Sequence, residues 1–253
     1  MGSQIDRCDR RVRDYALYRP SYPVEVIDRI RDVWSELKSG TVADVGCGTG
    51  ISSELFLKAG FQVIGIEPNA EMRSATLQQL GSIEHFESRD GRADATGLSS
   101  NSIDLVVVAQ AFHWFEVKPT QAEFIRILRP PGRTALIWNT LRSETPFLRD
   151  YEMLLQQFGI DYRSVCHKNL NDDVFNEFFR FGWKYFQLPN VQVLDWRGAQ
   201  GRLQSSSFTP NDDHPQFAPM MDRLQEIFQK HQEHGMLRYE YDTEIYCGEL
   251  SAI

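Results

Sequence analysis

Three glycines at alternate positions, Gly46, Gly48 and Gly50, are the residues of this sequence with the clearest chemical meaning. They follow a short β-type run at 41–45 and precede a helix-type run at 52–59. Glycine has no Cβ, so the backbone can turn sharply here and approach a ligand closely. The free N–H groups at the start of the following helix favour electron-rich or anionic ligand groups. The spacing therefore predicts a ligand-binding loop between a strand and a helix.

Two acidic residues flank this loop. Glu67 ends a second β-type run, 62–67, and a carboxylate at that point of a βαβ unit can accept hydrogen bonds from ribose hydroxyls. Asp44 comes just before the loop, where its charge disfavours a pyrophosphate and suits a ligand with an ammonium group. Together these features predict a nucleoside-cofactor site. The alternative is a structural βα turn whose glycines serve packing alone.

The glycine spacing bears on which cofactor the loop binds. The pattern is G-x-G-x-G, whereas dinucleotide-binding loops carry G-x-G-x-x-G. Residues 42–50, VADVGCGTG, and 65–68, GIEP, resemble the first two motifs of the class I S-adenosylmethionine-dependent methyltransferases. The resemblance implies S-adenosyl-L-methionine as cofactor, with contacts from the residues of these two motifs. The expected contact residues are Asp44, Gly46, Cys47, Gly48, Gly50, Glu67 and Pro68.

Three further stretches extend the resemblance. Residues 108–115, VAQAFHWF, are similar to the A-Q-x-x-H-W-F motif of small-molecule methyltransferases, a group that includes the trans-aconitate methyltransferases. The stretches 18–23, YRPSYP, and 239–246 look like the same group, so the likeness runs from about residue 15 to 250. It implies a cofactor contact from Gln110.

Three individual residues each have two interpretations. The resemblance implies that Asp94 accepts from the adenine amino group while the N–H of Ala95 meets a ring nitrogen; the alternative is a turn residue. Arg19 either pairs with the methionine carboxylate of the cofactor or forms a surface salt bridge. His113 either takes a proton from a substrate hydroxyl or amine, or forms a structural wall against the adenine or a cap. A carboxylate acceptor needs no base, so we favour the structural role for His113.

Alternating strand and helix patterns predict the fold class, an α/β, doubly wound, mostly parallel, seven-stranded Rossmann-like sheet with a helical cap insertion after the fifth strand. We expect a single domain over 1–253. Its predicted parts are an N-terminal helical segment at 1–38, a cofactor-binding core at 39–139, the cap at 140–181 and C-terminal core elements at 182–253. The polar, arginine-rich residues at 1–13 are expected to be partly disordered.

Composition limits the partners. Of 253 residues, 42% are hydrophobic and 25% charged, and the net charge is −8, which argues against a nucleic acid bound mainly by charge. The four cysteines have no metal or disulfide spacing, so we expect free thiols and no metal. No apolar run could span a bilayer and no signal core is present, which favours a cytoplasmic protein without a membrane partner. The protein is expected to be a monomer or homodimer.

These observations favour one function over two alternatives. The expected function is transfer of a methyl group from S-adenosylmethionine to a small molecule, possibly a carboxylate. A nicotinamide-dependent oxidoreductase would need a different glycine loop and a hydride-transfer site, and neither is seen. A non-catalytic S-adenosylmethionine-binding module remains open, because the sequence itself does not distinguish binding from turnover.

Overall fold

The computed structural model describes residues 12–160, 162 and 172–251. The predicted disorder at 1–13 therefore lies mostly outside the described residues, as does the middle of the predicted cap. Contacts within the chain define two compact units. The sheet unit contains residues 21–139, 168–188 and 243–253, and the helical unit contains 1–20, 140–167 and 189–242.

Seven strands form one sheet in the order β3-β2-β1-β4-β5-β7-β6. The strands are β1 Thr41–Val45, β2 Gln62–Ile66, β3 Phe86–Arg89, β4 Leu105–Ala109, β5 Arg133–Leu141, β6 Trp183–Leu194 and β7 Leu237–Glu249. The ladders that join β3, β2, β1, β4 and β5 in that order are parallel. The seven-stranded Rossmann-like sheet is thus confirmed, and the sheet as a whole is mixed rather than all parallel.

Helices connect these strands and precede them. They are α1 Val12–Tyr18, α2 Glu25–Val33, α3 Ile51–Lys58, α4 Ala70–Leu80, α5 Val117–Ile127, α6 Pro146–Phe158, α7 Asp172–Phe178, α8 Trp196–Gln204 and α9 Phe217–His231. A short 3₁₀ turn, Phe112–Trp114, follows β4. The α/β alternation up to β5 follows the sequence prediction, and β1 has the predicted bounds, 41–45.

The core of the sheet unit lies on both faces of the sheet. All five residues of β4 are buried, as expected for a parallel strand covered on each side. One apolar cluster includes Val106, Phe124 and Phe178, and a second includes Ile30 and Val107. The two clusters take alternate residues of β4 because neighbouring side chains in a strand point to opposite faces. This packing fixes the strand ends that carry the glycine loop.

The helical unit has its own apolar core. Leu148 of α6, Leu203 of α8 and Leu224 of α9 are completely buried and belong to one cluster. The predicted helical cap at 140–181 is not confirmed, because residues 140–167 group with 189–242 and residues 168–188 group with the sheet unit. Helices α6 and α9 pack on each other within the helical unit.

Helix α8 has no counterpart in the sequence analysis. Its sequence, WRGAQGRLQ, contains two glycines, and each disfavours a helix interior by about 1 kcal/mol relative to alanine. Asp195 caps the helix by accepting from the N–H of Gly198 at 2.7 Å. A Cβ on Gly201 would lie 2.0 Å from the Tyr18 ring, so this glycine lets α1 and α8 approach. Tertiary packing here outweighs helix propensity.

Candidate cofactor site

The glycine loop lies at the carboxyl end of β1, where open α/β sheets bind ligands. Gly46, Gly48 and Gly50 have φ angles of +74°, +57° and +89°, in the left-handed region that side chains other than glycine rarely adopt. A Cβ on Gly46 would also lie 2.7 Å from the Cβ of Ala111. The loop therefore depends on glycine both for its backbone angles and for its close packing. It leads directly into α3, which begins at Ile51.

Asp44 is a fully buried carboxylate at the end of β1. Its Oδ2 accepts hydrogen bonds from the hydroxyls of Ser52 at 2.7 Å and Ser53 at 2.6 Å. Its Oδ1 is buried and has no hydrogen-bond partner. Burial raises the pKa of Asp44 to about 6, against the opposing effect of the two serines. A buried, unpaired carboxylate oxygen fits a cationic or proton-donating ligand group.

Glu67 follows β2 and is linked to the glycine loop. Its Oε2 accepts from the N–H of Gly48 and its Oε1 from the N–H of Asn69, both at 3.0 Å. Burial raises the pKa of Glu67, whereas these two backbone hydrogen bonds act to lower it. A carboxylate offers about four lone-pair positions, so Glu67 retains capacity to accept from a ligand diol. The structure thus joins the two predicted acidic motifs by a direct hydrogen bond.

Several supporting side chains were not predicted from the sequence. Thr76 of α4 donates its hydroxyl proton to the carbonyl oxygen of Gly48 at 2.6 Å. Ser52 and Ser53 orient Asp44 from the first turn of α3. In the sequence, the only indication of these contacts was the pair of serines directly after the loop. Nothing in the sequence of α4 indicated the contact made by Thr76. Asn69 caps α4, since its Oδ1 accepts from the N–H of Met72 at 2.9 Å.

Gln110 lies at the carboxyl end of β4, on the strand next to β1. Its φ is +58°, an uncommon angle for a residue with a Cβ. Its side-chain N–H donates to the carbonyl oxygen of Asn139 at 3.0 Å, and its backbone N–H donates to Ile137 at 2.9 Å. Strained backbone concentrates at functional sites, so this geometry is compatible with the predicted cofactor contact.

His113 lies in the 3₁₀ turn beyond β4 and contacts two tryptophans. The indole N–H of Trp138 donates to Nδ1 of His113 at 3.5 Å, a long hydrogen bond. The imidazole also stacks on Trp114, with ring centroids 4.6 Å apart. An Nδ1 that accepts a hydrogen bond assigns the proton of the neutral ring to Nε2. This contact is compatible with a structural role for His113, and its role stays a prediction.

Asp94 is a partly exposed residue in the turn after β3. It forms an ion pair with Arg92, with Oδ1 3.0 Å from Nε, and this hydrogen bond lowers the pKa of Asp94. The N–H of Ala95 donates to the carbonyl oxygen of Arg92 at 3.0 Å. Both predicted adenine-binding groups therefore have partners within the turn. Their contact with the cofactor stays a prediction.

Arg19 belongs to the helical unit, whereas the other predicted site residues belong to the sheet unit. Its Nη2 donates to the carbonyl oxygen of Ser205 at 2.9 Å. Its guanidinium lies over the Tyr15 ring, 4.8 Å from the centroid. The predicted contact between Arg19 and the cofactor stays a prediction.

Other catalytic groups are scarce in this part of the molecule. Cys47 is a buried free thiol, and burial raises its pKa, so it remains protonated near neutral pH. Cys247 is also free, while Cys8 and Cys166 lie outside the described residues.

Among the residues that the structure describes, no three His, Cys, Asp or Glu side chains are grouped to hold a metal ion. Within the same ranges no helix has both the length and the apolarity to cross a membrane.

Taken together, the residues fit S-adenosylmethionine. The unpaired Oδ1 of Asp44 can receive the ammonium group, Glu67 can accept from the ribose, and the glycine loop allows close backbone approach. Residues 43–136 match the model of a family described as a methyltransferase domain. Residues 43–136 are therefore similar to methyltransferase domains, and the site fits S-adenosylmethionine as cofactor.

Individual relatives agree with this class. The chain is 30% identical over 166 residues to an uncharacterized methyltransferase-like protein of Schizosaccharomyces pombe, covering 64% of this chain and 63% of the relative. It resembles a solved structure from Anaeromyxobacter dehalogenans named as a type II methyltransferase, with a TM-score of 0.63, 18% identity, and 93% and 100% of the two chains covered. A phosphoethanolamine N-methyltransferase of Haemonchus contortus has a TM-score of 0.57 at 12% identity, covering 100% of this chain and 61% of that one. The matches span 57% and 63% of the first two curated relatives' lengths.

The loop geometry gives a first testable prediction. Gly48→Ala is expected to weaken S-adenosylhomocysteine binding about tenfold or more, because a Cβ at φ +57° disturbs the N–H bond to Glu67 and the approach of a ligand. Gly97→Ala is the matched control, since Gly97 has φ +71° and open space around its Cβ position. Calorimetric titration of both variants checks this. Equal affinities in the two variants would mean that the ligand does not approach Gly48.

Proposed function

We propose that this protein transfers a methyl group from S-adenosylmethionine to a small molecule that carries a carboxylate. The observation that carries the proposal is the buried Asp44, with one oxygen unpaired beside a glycine loop that is hydrogen-bonded to Glu67. An unpaired buried anion is costly in the free protein and is relieved by a cationic ligand. A sulfonium cofactor with an ammonium group supplies that positive charge, whereas a dinucleotide would add negative charge.

The chemistry requires little beyond alignment. In methyl transfer from a sulfonium, the nucleophile forms a bond to the methyl carbon as the carbon–sulfur bond breaks, and the electron pair leaves with the neutral thioether. The protein contributes mainly proximity and orientation. The described residues at the site include no acid–base pair of the kind that activates a hydroxyl, which agrees with that requirement. Asp44 and Glu67 would bind and orient the cofactor in this scheme.

The carboxylate assignment rests on His113 and on the family resemblance. If Nδ1 of His113 accepts from Trp138, Nε2 carries the proton and has no lone pair for a substrate proton. A carboxylate is already ionised near neutral pH and needs no base. The resemblance of residues 108–115 to the trans-aconitate methyltransferase group supports the same acceptor class. The Haemonchus contortus neighbour is described in complex with phosphomonomethylethanolamine, also a small molecule.

His113→Ala separates the two mechanisms. We expect kcat to fall by less than about tenfold, with a rate that is flat above the pKa of the acceptor carboxylate, because alignment suffices for an ionised nucleophile. If His113 were the general base, the loss would be about 10²–10⁴-fold and the wild-type rate would rise through the histidine range. The measurement is kcat against pH for both enzymes. A large, pH-dependent loss in a folded variant would contradict the proposal.

Turnover itself is tested with a panel of acceptors. The wild-type protein is incubated with S-adenosylmethionine and matched carboxylates, alcohols and amines, and S-adenosylhomocysteine release and methyl ester formation are followed by mass spectrometry. We expect methyl esters and no methylated alcohols or amines. Transfer to an amine or alcohol alone would contradict the acceptor class. Tight cofactor binding without any transfer across the panel would instead favour a non-catalytic binding module.

A further inference from the structure

Two arginines of the helical unit have no acidic partner among the residues that the structure describes. Arg202 of α8 is 8% exposed, and Arg19, just after α1, has a buried Nε without a hydrogen-bond partner. Arg202 acts on the pKa of Arg19, tyrosines act on the pKa of both arginines, and no carboxylate of the described residues is among the main causes for either. Buried arginines are normally paired with an anion. Within the described residues, this pair of arginines has no such anion.

The two guanidinium groups are held in place by neutral partners. Arg202 donates from Nε to the hydroxyl of Tyr241 at 3.1 Å and from Nη1 to Ser206 Oγ at 3.3 Å. Arg19 donates from Nη2 to the carbonyl oxygen of Ser205 at 2.9 Å. Each arginine keeps further N–H groups beyond these contacts, since a guanidinium has five. These hydrogen bonds fix the orientation of the two guanidinium groups. Because the partners are neutral, the positive charges stay uncompensated.

A tyrosine hydroxyl completes the cluster. Tyr151 of α6 is 1% exposed, and its hydroxyl is buried without a hydrogen-bond partner. The charges of Arg202 and Arg19 both act on this hydroxyl. Burial nevertheless raises the pKa of Tyr151 to about 12, so the group stays protonated and can donate. Phe147 and Tyr239 pack against the Tyr151 ring, with centroids 5.9 and 5.3 Å away.

The electrostatics of this cluster favour an anionic ligand. Burial, followed by the positive charge of Arg202, lowers the pKa of Arg19, whereas Tyr241 and Tyr151 raise the pKa of Arg202 against the effect of its burial. A water molecule could satisfy the Tyr151 hydroxyl but could not neutralise two like charges. An anion that contacts all three groups would satisfy the hydroxyl and compensate both positive charges. Arg19 is only partly buried, which leaves the cluster an accessible side.

We propose that Arg19, Arg202 and Tyr151 form a binding site for one carboxylate group of a small molecule other than the cofactor. Guanidinium forks match the planar, two-oxygen geometry of a carboxylate, and the tyrosine adds a third donor. The identification of this molecule with the methyl acceptor rests on the proposed function. The anion site itself does not depend on it, because every residue involved belongs to the helical unit.

The test is a titration of the whole protein, without cofactor, with citrate as a carboxylate probe. Wild-type protein should bind citrate and show a higher thermal midpoint, whereas the uncharged trimethyl ester of citrate and inorganic phosphate should not bind. Arg202→Met should weaken citrate binding about 10- to 100-fold, the scale of lost charge-assisted hydrogen bonds. Arg223→Met is the matched control, because Arg223 is a half-exposed arginine of α9 paired with Glu226, and it should leave citrate binding unchanged.

Titration with S-adenosylhomocysteine and 5′-methylthioadenosine, which lacks the carboxylate, separates the two possible sources of the anion. We expect Arg202→Met to leave both affinities unchanged. A loss for S-adenosylhomocysteine alone would assign the cluster to the cofactor carboxylate and overturn the proposal. Absence of citrate binding in the wild type, preference for phosphate, or equal citrate affinity in a folded Arg202→Met would also overturn it. Failure of the proposed function would show separately, as absence of S-adenosylhomocysteine binding or of methyl ester formation with the wild type.

Discussion

Glu67→Ala is expected to weaken S-adenosylhomocysteine binding by about 1.5–3 kcal/mol, which is about 10- to 150-fold in Kd. The variant removes a carboxylate that we expect to accept from the ribose, and it also releases the N–H groups of Gly48 and Asn69. Both effects act on the same loop, so the loss should exceed that of an ordinary neutral hydrogen bond. Calorimetric titration near neutral pH measures it directly.

A glutamate on the neighbouring strand provides the control for this result. Glu87 of β3 is exposed and paired with Arg89, and Glu87→Ala should leave affinity unchanged. The free energy of unfolding of each variant should be measured in urea, so that a loss of loop structure is distinguished from a loss of ligand contacts. Unchanged affinity in a folded Glu67→Ala protein would place the ligand elsewhere.

Asp44→Asn is expected to stabilise the ligand-free protein and weaken its cofactor affinity. Burial raises the pKa of Asp44 to about 6 from an ordinary 3.8, so the folded state holds this proton more tightly than the unfolded chain does. Stability is therefore lost as the pH rises from about 4 to 6, and the total loss is about 3 kcal/mol at 1.36 kcal/mol per pKa unit. Asparagine is neutral at every pH and avoids this loss.

Urea unfolding of the ligand-free protein at pH 5 and pH 8 tests this result. Asp44→Asn should be more stable than wild type at pH 8 by at most about 3 kcal/mol, reduced by the cost of its own unpaired amide hydrogens. The difference between the two proteins should shrink toward pH 5. Asp90→Asn, at a largely exposed position paired with Arg73, should behave as wild type. An identical pH dependence in Asp44→Asn and wild type would contradict the assignment of the shift to Asp44.

The sequence predicted the first half of the fold well because the signals there are local. The bounds of α3 and α4 are set by a glycine loop, a helix-ending glycine and the Asn69 cap, all visible within a few residues. An apolar stripe over residues 24–37 predicts one helix there, but α2 ends at Val33, and Trp34 and Leu37 are buried outside the helix. The apolar stripe reported burial correctly but did not report where the helix ends.

The helical unit was less predictable because its structure depends on distant contacts. Helix α8 contains Gly198 and Gly201, and its formation relies on packing that local propensity does not report. The grouping of α6 with α8 and α9 joins residues more than 40 positions apart in the chain. A pattern analysis that reads segments in order cannot assign such partners. The cap was predicted at 140–181 because the segments in this range are consecutive in the sequence.

The candidate site shows the same division. Asp44, the three glycines and Glu67 could be identified because they lie in one continuous strand–loop–helix–strand stretch of the sequence, at a recognisable spacing. The hydrogen bond from Gly48 to Glu67 and the hydroxyl of Thr76 on Gly48 join different βα units, so sequence spacing does not report them. Arg202 gave no signal, since it lies in a helix that was not predicted and its neighbours are tyrosines from other elements.

The most direct test of the central claim is a calorimetric titration of the wild-type protein with S-adenosylmethionine, S-adenosylhomocysteine and NAD. The glycine spacing, the unpaired oxygen of Asp44 and the position of Glu67 predict saturable 1:1 binding of both adenosyl ligands and no binding of NAD. In the same titration, Glu67→Ala should bind S-adenosylhomocysteine about 10- to 150-fold more weakly than the wild type. Saturable binding of NAD without binding of either adenosyl ligand would contradict the account.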